Sequence, residues 1–495
     1  MEQVATTIKS DRWAYLWLLI GALLLMLSTG RFDVALAAWL APVFLIRFFR
    51  SRRVGRGYVF TLIGLFVAYG ITWRSIISFF MFESLPVYLV MAFFIALMGS
   101  LPLLADRLLT PRLKGFAATL VFRLVVTAIF FLYNLVSPMG SFGTVGYEQY
   151  SNQALTQLVS VTGLWGLTFL VSWFGPVVNR AWECSFSWSG VRRGLLIFAG
   201  ILSAVLVFGD LRLSFAHIEP GTVQIHGFSL TDEFYNRTDN DLAIKETNDS
   251  YIQGTLREAS RGAQIVVWPE MAVGGTTEQA NAVLARAKEI ARQEEIYLVL
   301  GMGITFPDEN RPTDNRLIII APSGEIVVNQ LKYGATIISN NTPGDGILHT
   351  VDTPYGTLVG IICYDADFPI IVQQAGRKDA DILFVPSGDP NVAVAQLHTQ
   401  QAIFRAIENG VSLVRPDTTK GLSVATDPYG RVLAMTDTHT ASERVMVAQV
   451  PTQRVFTVYS VIGDLFGWLS VAGFVGILVW AIVRGRKRAS AGTSA

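Results

Sequence analysis

Seven long apolar stretches, at about 12–29, 32–50, 57–80, 84–105, 116–136, 155–178 and 194–215, precede a hydrophilic middle, and one more follows at about 463–484. Each approaches the ~20 residues a helix needs to cross the hydrocarbon core of a bilayer. The pattern predicts a hydrophilic domain held between membrane helices. Composition agrees: 51% of residues are hydrophobic, 16% are charged, and mean hydropathy is +0.43. That is more apolar than an ordinary water-soluble domain. A formal net charge of +1 gives no reason to expect a nucleic-acid partner.

Where the charges sit is more informative. Lys9 and Arg12 precede the first stretch, and Arg47, Arg50, Arg52, Arg53 and Arg56 lie between the second and third. Arg107, Arg112 and Lys114 follow the fourth; Arg180, Arg192 and Arg193 separate the sixth from the seventh; Arg484, Arg486, Lys487 and Arg488 follow the last. The intervening loops carry almost no Lys or Arg, and 137–154 has none. Basic loops stay in the cytoplasm, so both termini are expected there and the hydrophilic region outside. The predicted domains are a seven-helix membrane part (1–215), a non-cytoplasmic catalytic part (216–458), and a final helix with a basic tail (459–495). The first stretch lacks a small-residue cleavage site and reads as a retained helix. The stretch 57–80, interrupted by Arg74, fits a span least well. Arg123 falls inside the fifth stretch, where snorkelling to the headgroups is the simple expectation.

From residue 221 the pattern changes to short β-like runs alternating with amphipathic helices. Strand candidates are TVQIHGF, AQIVVWP, IYLVLGMGIT, NRLIIIAP, EIVVNQLK, TLVGIICYD, DILFVPS, VSLVRP and LSVATDP. Helices are predicted at 239–261, 278–294, 368–378 and 393–409; the second places Ala280, Val283, Leu284, Ala287, Ile290 and Ala291 on one face. APSGE and DPYGR read as turns joining strand pairs. This alternation predicts a layered α/β domain. His226, in the first strand, reads as a core histidine. No metal-type Cys/His spacing is present.

Three of the apolar runs end on reactive side chains: Glu270 in IVVWPEM, Lys332 in VVNQLKYG and Cys363 in LVGIICYD. A thiol is nucleophilic as thiolate, and a nearby ammonium favours that form and an anionic intermediate. A carboxylate can take the thiol proton and return it to a leaving group. Strand C-termini bring such groups to one sheet edge. Spacing alone does not make them converge. The other cysteine, Cys184, sits in a basic, cytoplasmic-type loop and reads as a small buried hydrophobe; Cys363 reads as a thiol kept for reactivity.

WPE, a lysine about sixty residues on and a G-x-x-I-C-Y-[DE] strand resemble the nitrilase (carbon–nitrogen hydrolase) superfamily. The resemblance covers about 221–455, including the RAIENG helix and the DPYGRVLA hairpin. It implies an αββα sandwich in which Glu270 is general base, Lys332 stabilises the oxyanion and Cys363 is nucleophile. Seven spans, an external nitrilase-like domain and a last span resemble the bacterial apolipoprotein N-acyltransferase family, as do VGYEQY at 145–150, VTGLWGLTFLV and YSVIGDLFGW. That resemblance implies an inner-membrane enzyme without metal or cofactor. Cys363 would take an acyl chain from a phospholipid and pass it to the α-amino group of a lipoprotein's diacylglyceryl-cysteine. Tyr333, Asn340, Tyr364 and Asp365 are expected to contact substrate.

The chain also departs from the family. After the lysine the family runs H-L-V-P-F-G-E-Y, whereas here KYGATIISNNTPGDG puts Asn340 at the glutamate position. PSGDPNVAV replaces S-N-D-x-W-F, and Tyr364–Asp365 stand for the commoner Tyr-Glu. Two other readings therefore stay open: a membrane-tethered nitrilase-type amidase, and a degenerate lipoprotein-binding scaffold.

Overall fold

Each apolar stretch forms a helix in the computed structural model, which describes residues 11–29, 32–74, 76, 84–113, 115–216, 221–230, 241–334, 339–418 and 420–492. The helices are α1 (Ala14–Ser28), α2 (Ala35–Arg50), α3 (Val54–Thr72), α4 (Leu85–Leu109), α5 (Val121–Val136), α6 (Val159–Glu183) and α7 (Trp188–Ser214). The stretch after the hydrophilic region also forms a helix, Leu465–Gly492. Five of the eight are long and apolar enough to cross a membrane: α3, α4, α6, α7 and the last. The other three have 15 or 16 residues, about 24 Å at most at 1.5 Å per residue. The chain is a multi-pass membrane protein.

Three details differ from the sequence expectation. The third helix ends at Thr72, and of the rest of the predicted 57–80, residues 75 and 77–80 lie outside the described residues. The sixth stretch is not one rod. A short helix, Gln153–Thr156, precedes α6, and α6 breaks at Gly163, where φ is 63°. A Cβ there would lie 2.4 Å from the Tyr459 ring, so glycine is required twice over. Arg123 does not snorkel either. It is buried, its guanidinium 3.1 Å from the Trp173 ring centroid and 4.2 Å from that of Phe169, so cation–π contact replaces solvent.

The hydrophilic region folds into two facing sheets. The strands of the first are β1 (Thr222–Phe228), β2 (Ile265–Val267), β3 (Val273–Gly275), β4 (Tyr297–Ile304), β5 (Asp314–Ile320), β6 (Ile326–Leu331) and β13 (Val445–Pro451), in the order β13-β1-β2-β4-β5-β6, with β3 beside β4. The second holds β7 (Thr350–Thr353), β8 (Gly356–Gly360), β9 (Ile382–Phe384), β10 (Ser412–Arg415), β11 (Leu422–Thr426) and β12 (Val432–Asp437), in the order β12-β11-β10-β9-β8-β7. Central strands such as IVV and ILF are parallel to their neighbours and wholly buried, as continuous apolar runs covered on both faces should be. Val223, Ile225, Val267, Val299 and Leu317 meet Leu358, Ile382, Phe384 and Val414 between the sheets.

Helices α8 (Asp241–Ser260) and α9 (Thr277–Gln293) cover the first sheet, while α10 (Pro369–Arg377) and α11 (Val392–Asn409) cover the second. The order is αββα. The α10–α11 layer does not face water: one continuous core joins Ile371, Val372, Phe404 and Ile407 to Leu164, Trp165, Leu167 and Trp173 of α6. At the Gly163 break the freed Leu164 N–H donates to Glu408 Oε1 at 2.8 Å. Glu408 also pairs with Arg405 at 3.1 Å, and Arg405 donates to the Tyr147 hydroxyl at 3.0 Å. The RAIENG segment therefore docks the sandwich on the membrane helices.

Candidate active site

The three reactive residues stand just past strand ends. Glu270 comes three residues after β2, Lys332 directly follows β6, and Cys363 comes three residues after β8. β2 and β6 belong to one sheet and β8 to the other, so the site is built across the sandwich. Lys332 Nζ donates to Glu270 Oε1 at 2.6 Å, and Asn315 Nδ2, from β5, donates to the same oxygen at 2.7 Å. All three reactive side chains are buried. Cys363 opens a 3-10 turn, Cys363–Asp367, with its own φ at 44°. A non-glycine residue at positive φ is strained backbone of the kind that collects at functional sites. Cys363 N–H donates to Pro386 O at 2.9 Å, which fixes the turn.

The other expected contacts separate. Asp365 is buried, and its carboxylate accepts the N–H groups of Tyr333 (3.0 Å), Gly334 (2.5 Å) and Ile362 (2.9 Å). It ties the lysine segment to the cysteine turn and has few lone pairs left for substrate. Tyr364 is buried, edge-on to His398 at 4.6 Å and stacked near Phe142 at 6.2 Å. Tyr333 is 37% exposed and lies edge-on to Phe368. Asn340 is exposed at φ 50°, and its backbone carbonyl accepts Thr313 N–H at 3.2 Å. Glu270, not Asn340, is the hydrogen-bond partner of the Lys332 ammonium. The two cysteines reverse expectation on burial: Cys184 is half-buried and Cys363 buried. His226 is a satisfied core residue, 3.0 Å from Glu258.

Two residues that sequence reasoning passed over complete the site. His398 of α11 and Asp389 place their ring nitrogen and carboxylate oxygen within 4.8 Å of each other and of Cys363 Sγ. His398 Nδ1 is 2.6 Å from Asp389 Oδ1, and Nε2 is 3.3 Å from Asp367 Oδ2. Asp389 Oδ2 pairs with Arg415 at 2.5 Å. Both Asp389 oxygens are thus engaged, which leaves Cys363 and His398 two donors short of a tetrahedral metal site. The only early signals were that the chain has five histidines and that Asp389 lies in the divergent PSGDPNVAV.

Segment 137–152, which joins the membrane helices, packs directly on the cysteine turn. Ser141 N–H and Oγ both donate to Asp367 O, at 2.7 and 2.8 Å. At Gly140, φ is 52° and a Cβ would fall 2.3 Å from the same oxygen, so only glycine permits this approach.

The profile of the apolipoprotein N-acyltransferase N-terminal domain matches residues 21–177, and that of carbon-nitrogen hydrolases matches 241–458. An apolipoprotein N-acyltransferase of Geobacter metallireducens is 23% identical over 373 residues, covering 69% of this chain and 70% of its own. The chain belongs to the apolipoprotein N-acyltransferase family. A second apolipoprotein N-acyltransferase, from Rhodopseudomonas palustris, is 25% identical over 393 residues, 69% of each chain. A solved amidase of Nesterenkonia sp. aligns over 48% of this chain and 93% of its own, at 21% identity and a TM-score of 0.40.

Electrostatically, this N-acyltransferase-family site stores protons at rest. Burial, with Glu270 adding to it, pushes the Cys363 thiol up to about 11, against opposing pulls from Lys332 and His398. Burial disfavours charge on Lys332, yet the carboxylate of Glu270 outweighs it and holds the ammonium above its ordinary range. Burial also raises Asp365 to about 6, although the Gly334 N–H and the Lys332 charge oppose it.

Proposed function

We propose that this chain is an apolipoprotein N-acyltransferase in which Glu270, Lys332 and Cys363 carry a two-step acyl transfer through a thioester. The observation that carries the reading is the buried Lys332–Glu270 pair beside Cys363, in a site closed on one side by a membrane-domain segment. In the first step Cys363 sulfur attacks the ester carbonyl of a phospholipid while Glu270 takes the thiol proton. The C–O bond breaks and the alkoxide receives that proton, leaving a lysophospholipid. In the second step the α-amine of a diacylglyceryl-cysteine attacks the thioester. Glu270 takes the N–H proton, the C–S bond breaks, and the sulfur recovers the proton. Lys332 faces the tetrahedral oxyanion in both steps, a contribution of order 10²–10³ in rate for one well-placed donor.

The placement makes sense of the fold. Both substrates are lipid-anchored, and a site held at the bilayer surface replaces two long searches with a local encounter. The reading includes the topology drawn from the basic loops: termini in the cytoplasm, residues 216–458 on the periplasmic face of the inner membrane, flanked by 1–215 and 459–495. Asp365 enters as a positioning residue and Tyr364 as packing; Tyr333, at the exposed rim, is left as the lipid contact. Incubating the full chain with phospholipid and a diacylated lipopeptide should give a triacylated lipopeptide by mass spectrometry, lost in Cys363→Ala. Free fatty acid without acylated peptide would instead indicate a tethered hydrolase. Peptide binding with no product of either kind would indicate a scaffold.

A further inference from the structure

A cationic lysine on one side does not account for everything around the sulfur. On the α11 side stands His398, buried and with a ring nitrogen within 4.8 Å of Cys363 Sγ. Its Nδ1 is 2.6 Å from Asp389 Oδ1, and its Nε2 lies at ion-pair distance, 3.3 Å, from Asp367 Oδ2, neither of these last two atoms making a hydrogen bond. Tyr364 and Phe142 press edge-on against the ring at 4.6 and 5.4 Å. Arg415 and Asp417 lie behind Asp389, paired at 2.5 Å. Two acids flank one imidazole in a site without bulk water, an arrangement that favours the imidazolium.

We infer that His398 is a second cationic partner of the Cys363 sulfur, held charged by Asp389 and Asp367, that stabilises the thiolate in both half-reactions. The inference rests on the acyl-transfer reading and adds a residue to it. Its physics follows from the proton path. At rest the Glu270 carboxylate opposes ionisation of the thiol. When Glu270 takes the S–H proton it becomes neutral, and the new thiolate faces Lys332 and His398, both cations. In the second half-reaction the C–S bond breaks toward the same pair, and Glu270 returns the proton to sulfur. His398 gives up no proton in either step, so atoms and charges balance without a further reactant. Burial pulls the His398 pKa down, but the Asp389 and Asp367 carboxylates outweigh it and hold the ring well above the usual imidazole range.

The test reads charge on sulfur rather than access to it. Ultraviolet thiolate titration of the full-length chain, subtracted against Cys363→Ser in the same background, gives the thiolate fraction of Cys363. Losing a cation at this distance moves a pKa by about one unit or more, so His398→Gln should lower the thiolate fraction at pH 10 about tenfold. Asp367→Asn keeps the shape of the site and weakens only the charge on the ring, so it should shift the titration the same way by less. It carries the test if His398→Gln does not fold. In acyl transfer both variants should lower kcat and leave KM near wild type. A wild-type titration in whichever variant folds overturns the inference. Full acyl transfer in Cys363→Ala would instead overturn the acyl-enzyme reading, even if the titration shifts as expected.

Discussion

The helices α9 and α11 occupy equivalent layers of the sandwich and are built in opposite ways. α9 buries five of its 17 residues, Ala280, Val283, Ala287, Ile290 and Ala291, and turns most of the others to solvent. α11 buries 15 of 18, including His398, Arg405 and Glu408. The outer face of α9 meets water; that of α11 meets α6 and segment 137–152. Polar residues on α11 are therefore not a solvated face. They are the docking contacts and, at His398, part of the site. Covering one layer with a membrane domain turns a structural helix into one that links the lipid-facing part to the chemistry.

Breaking that link should cost most. Arg405→Ala leaves Glu408 buried without its cation and should destabilise the fold by about 3–5 kcal/mol, read as a fall in the thermal midpoint of the detergent-solubilised chain. Phe404→Ala, which empties the space against Tyr147, should cost about 3–5 kcal/mol by the lost packing. On the solvent-backed helix the inward residue Val283 is fully covered, and truncation to Ala should cost less, about 1–2 kcal/mol in the same assay. Glu289→Ala, on the exposed face of α9, should change stability by less than about 0.5 kcal/mol. An equal loss for Arg405 and Glu289 would show that α11 is not docked as described.

pH sharpens the same contrast. Burial pushes Glu408 up to about 7, with Arg405 pulling it back, against roughly 4.3 for an unfolded carboxyl. The folded state therefore binds this proton more tightly. Its contribution to stability is complete below pH ~4.3 and is lost as pH rises through about 7. The thermal midpoint should fall over that interval, and Glu408→Gln should flatten the dependence. α9 has no buried carboxylate to produce such a slope.

How much of this was legible beforehand follows from burial too. β1 appears in the sequence at its observed bounds, and the central strands are short apolar runs within the predicted ones. β3, β7 and β13 gave no signal, and β12 appeared only as the second arm of the DPYGR hairpin. Three of these are edge strands, whose partly exposed and polar residues (TVDT, VLAMTD) blur the apolar run; β3 is shortened by two glycines. Glu270, Lys332 and Cys363 stood out because each follows an apolar run in the sequence. His398 and Asp389 did not, because only the packing of α11 against the cysteine turn brings them to the sulfur. Asn340 was expected at the site because of its place in the motif, and it stands exposed. Arg123 was expected to reach the headgroups, but Trp173 and Phe169 offered an internal partner that no one-dimensional pattern reveals.

The central claim is that Cys363 carries the acyl group, and the direct measurement is the mass of its peptide after the full-length chain meets phospholipid alone. The account predicts one fatty-acyl increment on Cys363, removed by hydroxylamine, with an equal amount of lysophospholipid released and discharge on adding the lipopeptide. Transfer to the lipopeptide while Cys363 remains unmodified, or an acyl increment on any other residue, would contradict it.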